Sequence, residues 1–185
     1  MLLGLRRIKR AQAVVLVVDL QEKLLPAMHE PDRVRQNAVR LAKGAQILKV
    51  PVWVTEQYRK GLGATVAELA EAIPGFAPLE KMAFSALGAD GLRRRFRDMN
   101  VQQAIICGIE AHVCVAQTCL DLLEIDLQPF VVADAVSARN PEDCRMGLER
   151  MRHAGAVIVS TEMALFELLE SAGAPEFKQI LSLVK

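Results

Sequence analysis

The sequence predicts a three-layer α/β/α fold, in which helices cover both faces of a doubly wound, Rossmann-like sheet of six mostly parallel strands. Short apolar runs alternate with longer amphipathic stretches along the whole chain. The first run, residues 13–18 (AVVLVV), is apolar at every position, as expected of a strand buried on both faces of a parallel sheet. With 185 residues, 52% of them hydrophobic, the chain suits one domain over residues 1–185.

In the first half of the chain, flanking residues set the predicted bounds. Asp32 is the predicted N-cap of a helix that ends near Leu48, because apolar residues recur between them at helical spacing. A glycine-containing turn over residues 61–63 precedes a short helix. The elements predicted here after the first strand are strands at 51–54 and 78–82 and helices at 32–48, 65–72 and 88–99.

The centre of the chain is the stretch from Cys107 to Cys119. Residues 103–107 (QAIIC) read as a buried fourth strand, and Gly108 indicates a tight turn after it. A helix is predicted from near His112 to about Ile125. A cysteine at such a strand-to-helix corner is well placed to be a nucleophile, because unpaired N–H groups at a helix start favour a thiolate.

The last third predicts two more strands and three helical segments. Asn140 is the predicted cap and Pro141 the first residue of a helix, which ends near His153 with Gly155 just beyond. The other predicted elements are strands at 128–132 and 156–160, a loop at 134–139, a helix capped by Thr161, and a short helix or tail at 175–185.

Charge and composition exclude several classes of partner. The net charge is +1 with both signs spread along the chain, so we predict no nucleic-acid partner and no membrane partner. The basic cluster at residues 93–97 is interpreted as a solvated face or a subunit contact. No apolar run reaches the ~20 residues that a bilayer span needs.

The N-terminus and the cysteines predict a cytosolic protein. The first ten residues carry four basic side chains but no long apolar segment, so we interpret them as an arm leading into the first strand and not as a secretory signal. The four cysteines form no C-x-x-C pattern, which favours reduced thiols. They are Cys107, Cys114, Cys119 and Cys144.

Asp19, Lys81 and Cys114 are the candidate catalytic residues. They lie at or near the carboxyl ends of predicted strands, which meet at one edge of a parallel sheet. There the ammonium would lower the thiol pKa, and the carboxylate would take the thiol proton. Each residue also has an ordinary interpretation. Asp19 could be a cap or turn residue, Lys81 could face solvent, and Cys114 could be a buried structural cysteine.

Four motifs together resemble the isochorismatase-like cysteine hydrolases. They are residues 17–21 (VVDLQ), 81–85 (KMAFS), 108–115 (GIEAHVCV) and 131–138 (VVADAVSA). The resemblance covers residues 14–164 and implies the isochorismatase-like hydrolase fold. The segment Thr55-Glu-Gln-Tyr58 is most similar to the isochorismatase domain-containing group.

The resemblance implies a role for each candidate residue. Asp19 would be the general base, Lys81 would support it and the thiolate, and Cys114 would be the nucleophile. A cis peptide bond would join Ile109 to Glu110. This bond would direct the Glu110 N–H, together with the Cys114 N–H, at a developing oxyanion.

The chain departs from the nicotinamidase branch of this family. That branch has an aspartate–histidine metal cluster after the second strand, whereas residues 55–63 here contain no histidine. The three histidines of the chain have no ligand spacing. We therefore predict no catalytic metal and no other cofactor. Nicotinamide is a doubtful substrate for the same reason.

The predicted reaction is hydrolysis of a small amide or related carbonyl compound through a thioester on Cys114. The residues predicted to bind the substrate are Gln21, Trp53, Glu56, Tyr58, Phe84 and His112, with a place in the core as the alternative for Trp53 and Phe84. Isochorismatase-type vinyl-ether hydrolysis is one alternative. A redox-responsive thiol protein, with Cys107 or Cys119 as the resolving thiol, and a non-catalytic protein are the others. The resemblance also implies a homo-oligomer.

Overall fold

The computed structural model describes residues 7–185, so most of the predicted N-terminal arm lies outside the described residues. Six parallel strands form one sheet in the order β3-β2-β1-β4-β5-β6, which confirms the predicted α/β fold. The strands are β1 (Ala13–Val18), β2 (Val52–Gln57), β3 (Leu79–Lys81), β4 (Gln103–Ile109), β5 (Gln128–Ser137) and β6 (Val157–Val159).

Residues 7–185 contain eight α-helices, which cover both faces of the sheet; the last two follow β6. They are α1 (Pro31–Ile47), α2 (Arg59–Leu62), α3 (Ala67–Glu71), α4 (Leu92–Asp98), α5 (Ala116–Glu124), α6 (Pro141–Ala154), α7 (Thr161–Leu169) and α8 (Phe177–Val184). No helix in this part of the chain has the length and apolar character that crossing a membrane requires.

Two hydrophobic cores lie on opposite faces of the sheet, because β1 is buried on both sides. Val15 and Val17 point into the core that α1, α3, α7 and α8 cover. Leu16 points into the other core, which α4, α5 and α6 cover. All six residues of β1 are buried, so the apolar run at 13–18 occupies the centre of the sheet, as a two-sided parallel strand requires.

Two strands extend beyond their predicted ends through polar residues. β2 continues to Gln57, although residues 55–58 were expected to follow the strand. β5 continues to Ser137, so the prediction of a loop at 134–139 is wrong for most of its length. In each case hydrogen bonds satisfy a polar side chain inside the strand: Thr65 donates to Glu56, and Thr161 donates to Asp134.

Two predicted helix caps are wrong by one or two residues. The N-cap of α1 is Glu30, and Asp32 lies in the first turn. The N-cap of α7 is Ser160, whose side chain accepts a hydrogen bond from the Met163 N–H. Thr161 is the first helical residue, and its hydroxyl bonds to Asp134 instead of the helix. Asn140 caps α6 as predicted.

Gly108 allows β4 to lie against β1 immediately before the cysteine turn. Its φ is +116°, and a Cβ built on it would lie 2.0 Å from the Val18 carbonyl oxygen. The register between β4 and β5 also shifts between Ile106 and Gly108. A side chain at position 108 would therefore push apart the two strands that carry Asp19 and Cys114.

We expect Gly108→Ala to lower the free energy of unfolding by at least about 3 kcal/mol, since both the backbone angle and the contact are forbidden. Gly75→Ala is the matched control, because Gly75 also has a positive φ, +67°, but has open space around it. It should lose only about 1 kcal/mol. Urea denaturation of both variants measures the difference, and equal losses would contradict the close approach at Gly108.

Candidate active site

Asp19, Lys81 and Cys114 lie together at the carboxyl edge of the sheet. Asp19 follows β1 with a φ of +53°, Lys81 is the last residue of β3, and Cys114 lies in one turn of π-helix (Ala111–Val115) after β4. Lys81 Nζ is 2.5 Å from Asp19 Oδ2, and Cys114 lies close enough to the same carboxyl group for each to shift the pKa of the other. The structure thus brings all three predicted catalytic residues into one cluster.

The Lys81 side chain crosses β2, which separates β3 from β1. Besides Asp19, Nζ donates to Gln57 Oε1 at 2.8 Å and to the Phe84 carbonyl at 2.9 Å, with Ala83 O at 3.2 Å. An ammonium has three N–H bonds, so these partners use all of them. The side chain is fully buried, which excludes the solvent-facing alternative for Lys81.

Thr55 and Gln57 are site residues that the sequence reasoning missed. The Thr55 hydroxyl donates to Asp19 Oδ1 at 2.7 Å, so each carboxylate oxygen has a donor. Gln57 holds Lys81 and donates to the Met82 carbonyl. Their spacing was an available signal, because residues two apart on a strand point to the same side. The same rule sends Glu56 to the opposite side.

Burial sets the protonation of Asp19 and Cys114. Loss of solvent raises the pKa of Asp19 above its ordinary value, and the nearby Lys81 charge opposes that rise. Burial and the negative charge of Asp19 raise the pKa of Cys114 to about 12, although Lys81 acts in the other direction. The expectation of a stabilised thiolate is therefore wrong for the resting site. Desolvation outweighs both the ammonium and the backbone N–H groups.

The turn before Cys114 contains a non-proline cis peptide bond between Ile109 and Glu110, at the position that the resemblance implied. The Glu110 carbonyl accepts hydrogen bonds from the N–H groups of Val113 and Val115, which closes the π-helical turn. The Glu110 backbone N–H lies near the Cys114 sulfur, where it lowers the pKa of the thiol against the larger effect of burial. A backbone donor and the candidate nucleophile therefore face each other.

Two of the predicted substrate-binding residues already have protein partners. Gln21 is buried, and its amide bonds to the backbone of Gln57 and Gly63. Glu56 is also buried. One of its oxygens accepts from Thr65, and the other accepts from the Arg59 guanidinium at 2.9 Å. These contacts hold the segment after β2 in place, and a role in binding substrate stays a prediction for both residues.

The other four predicted binding residues differ in exposure. Trp53 is buried in the core. Its ring is edge-on to that of Phe96, and the two ring centroids are 4.9 Å apart. Tyr58 is 48% exposed and Phe84 is 53% exposed. His112 is partly buried, and its Nδ1 has no hydrogen-bond partner among residues 7–185. Tyr58 and Phe84 thus offer accessible aromatic surface beside the residues that contact Lys81.

A cavity of about 290 Å³ lies beside Lys81. Its walls carry both signs of charge and the Tyr58 ring. They consist of Tyr58, Arg59, Lys60, Glu80, Lys81, Met82, Gly88 and Asp90. Within residues 7–185 no group of three His, Cys, Asp or Glu side chains could hold a metal ion. All four cysteines are free thiols.

We expect Lys81→Met to destabilise the protein by about 3–5 kcal/mol at pH 8, because it leaves a buried carboxylate without its counter-charge. Without the ammonium, the pKa of folded Asp19 rises further above the unfolded value of about 3.9. The folded variant then holds a proton that the unfolded chain releases, so its stability falls as pH rises through that window. The loss should be smaller at pH 5 than at pH 8.

Urea denaturation at both pH values measures this effect. The double variant Asp19→Asn/Lys81→Met is the control, since it has no charge left at the site. At pH 8 its free energy of unfolding should fall by less than that of Lys81→Met. The fall should be the same at pH 5 and pH 8. A pH-independent loss in Lys81→Met alone would contradict the ion pair.

Comparison with known proteins places the chain in a family. The isochorismatase domain matches residues 13–163. Isochorismatase domain-containing protein 2 of Danio rerio is 40% identical over 98% of this chain and 91% of its own length. The secreted isochorismatase effector Isc1 of Phytophthora sojae is 41% identical over 94% of this chain and 84% of its own length.

Solved structures agree with this match. The MAR1 ribonuclease of Caenorhabditis elegans has a TM-score of 0.91 and 37% identity over 96% of this chain and 92% of its own. YcaC of Pseudomonas aeruginosa, described with hexane-2,5-diol and covalent acrylamide, has a TM-score of 0.90 and 28% identity, over 97% of this chain and 92% of its own. YcaC of Escherichia coli, described as an octameric hydrolase of unknown specificity, has a TM-score of 0.84 and 25% identity over 95% of each chain. The chain therefore belongs to the isochorismatase family.

Proposed function

We propose that this protein is a metal-independent cysteine hydrolase that acts on a small amide or related carbonyl compound and needs no cofactor. One observation carries the proposal: a buried ion pair, Asp19–Lys81, lies against a thiol whose sulfur faces the Glu110 N–H. A base, a nucleophile and an oxyanion donor are the three groups that acyl transfer through a thioester needs. Family membership supports hydrolysis as the reaction class.

In the first step Asp19 removes the Cys114 proton as the sulfur attacks the carbonyl carbon. The two events are coupled, because a thiol with a pKa of about 12 holds almost no thiolate at neutral pH. Burial favours this transfer, since it raises the pKa of Asp19 and makes it a stronger base than an exposed carboxylate. The new C–S bond sends the carbonyl electron pair to oxygen, where the N–H groups of Glu110 and Cys114 stabilise it.

The tetrahedral intermediate then collapses to a thioester. The C–N bond breaks, and the leaving amine takes the proton that Asp19 holds. Water attacks the thioester after giving a proton to Asp19, and the departing sulfur recovers that proton. Lys81 keeps the carboxylate in place through its hydrogen bonds.

The surroundings of the site support a small substrate of mixed polarity. The cavity beside Lys81 has a volume of about 290 Å³ and is lined by the Tyr58 ring and charged side chains, whereas Asp19 and Cys114 lie outside its lining. We propose that the exposed rings of Tyr58 and Phe84 contact the apolar part of the substrate. The covalent acrylamide in the P. aeruginosa relative supports a reactive nucleophile in this family and its access to an amide-bearing molecule.

Hydrolysis of RNA is less well supported, although the C. elegans relative is named a ribonuclease. The net charge is only +1. In the basic cluster on α4, Arg94 and Arg97 contact Asp98, and Arg93 lies 4.0 Å from Asp121. Nearby carboxylates offset these arginines, so the cluster is a poor phosphate site.

We also propose that the protein is a cytosolic homo-oligomer. The E. coli relative is described as octameric, which supports assembly. Four free cysteines favour a reducing compartment, whereas the P. sojae relative is named a secreted protein. Met82 and Phe84 are large apolar side chains more than half exposed beside the site. They are candidates for contact with a second copy.

Cys114→Ala should abolish hydrolysis, since no other group in the site can form the thioester. The measurement is a screen of small amides, with mass spectrometry to detect an acyl group on Cys114 and a short RNA as a separate arm. Cys119→Ala, a buried core cysteine on α5, is the matched control and should keep activity within about threefold.

Three results would contradict the proposal. Full amide hydrolysis by Cys114→Ala would show that Cys114 is not the nucleophile. Hydrolysis of RNA alone would move the substrate to another class. A reversible disulfide on Cys114 after mild peroxide, without acylation by any amide, would favour the redox-responsive thiol protein.

Light scattering on the purified protein should give a mass that is a multiple of the 20.4 kDa chain. Replacing both Met82 and Phe84 by serine should shift the protein toward a smaller assembly if these side chains lie in the contact. A single-chain mass for the unaltered protein at micromolar concentration would contradict the oligomer.

A further inference from the structure

We propose that Arg139 is a positioning residue that acts through Glu110: its guanidinium holds the Glu110 carboxylate and so fixes the turn whose N–H faces the Cys114 sulfur. The inference rests on the proposed function, because the oriented N–H matters only if an oxyanion develops on the substrate. It extends the site to a residue just after the end of β5 that touches none of the reacting groups.

Two contacts join these residues. Arg139 Nε donates to Glu110 Oε2 at 2.9 Å, and the Arg139 backbone N–H lies 3.4 Å from the same oxygen. The Glu110 side chain is only 13% exposed, whereas that of Arg139 is 67% exposed. The hydrogen bond to Glu110 raises the pKa of Arg139, so the guanidinium stays charged throughout the working pH range.

Both ends of this contact are attached to rigid structure. Val136 and Ser137 of β5 pair with Gly108 and Ile109 of β4, and Arg139 follows two residues after the strand. The Ser137 hydroxyl donates to the His29 carbonyl at 2.6 Å, which fixes the end of β5. The carboxylate of Glu110 is therefore held from a strand end that cannot easily move.

Glu110 transmits this restraint to the nucleophile. Its carbonyl accepts from Val113 and Val115, and its N–H lies near the Cys114 sulfur. With the carboxylate held as well, three separate groups of one residue are fixed. The contact with Arg139 then opposes rotation of the peptide plane that carries the N–H. An ion pair with so exposed a partner adds little to global stability, so its main effect is on orientation.

Two reagents separate this role from a structural one. p-Nitrophenyl acetate acylates a thiol through an oxyanion, whereas iodoacetamide alkylates it without one. The readout is the rate of acylation of Cys114 divided by its rate of alkylation, both measured by mass spectrometry at one pH. A change in the general reactivity of the sulfur affects both rates and cancels in this ratio. We expect Arg139→Gln to lower this ratio at least tenfold and to leave the melting temperature nearly unchanged.

Two further variants test the contact itself. Arg139→Lys keeps the charge but loses the planar donor group, so its ratio should lie between those of Arg139→Gln and the unaltered protein. Glu110→Gln, which weakens the acceptor, should lower the ratio in the same direction. The control is Arg145→Gln, because Arg145 is an exposed arginine on α6 that pairs with Glu142 and Glu149, and it should keep the unaltered ratio.

An unchanged ratio in Arg139→Gln would overturn the proposal. So would an equal fall in acylation and alkylation with a lower melting temperature, which indicates a merely structural contact. If the unaltered protein is alkylated but never acylated at Cys114, the proposed function itself fails. That result is distinct from an acylated protein whose ratio does not depend on Arg139.

Discussion

The candidate site depends on the burial of two opposite charges, Asp19 and Lys81, inside a parallel sheet. Removing either charge from water is costly, and the pair is tolerable only because other groups complete its hydrogen bonds. Thr55 binds one carboxylate oxygen, and Gln57 and the Phe84 carbonyl bind the ammonium. The path of β2, the position of β3 and the loop after it are all constrained by these partners.

The same burial explains why the thiol is not a ready thiolate. A negative carboxylate and a dry environment both raise the pKa of Cys114, and one neighbouring ammonium does not reverse this. The site therefore resembles a proton-transfer pair more than an ion pair of thiolate and ammonium. Deprotonation coupled to attack also protects the cysteine from oxidants, because reactivity toward them follows thiolate character.

Sequence reasoning succeeded where the pattern was apolar and failed where polar groups were buried. The run at 13–18 predicted the central strand. The cysteine stretch predicted a strand, a turn and a helix in the right order, but β4 continues through Gly108 to Ile109 and α5 begins at Ala116, later than the predicted start near His112. The family resemblance, not the pattern, indicated the cis bond at Ile109. Thr55 and Gln57 were missed because a polar residue at a strand end is ordinarily read as loop. Their spacing of two residues was the available signal, and their hydrogen bonds to Asp19 and Lys81 show that both face the site.

The edge strand β3 has one further consequence. It is only three residues long, and its last residue is the lysine whose ammonium reaches across β2. Segments with few buried apolar contacts open most readily in local fluctuations of a native protein, and Lys81 is the one buried residue of β3. Here such an opening would withdraw the ammonium and expose the carboxylate at once. The Lys81–Asp19 ion pair thus holds the edge strand β3 against the sheet, and the catalytic residues are assembled only while β3 stays paired with β2.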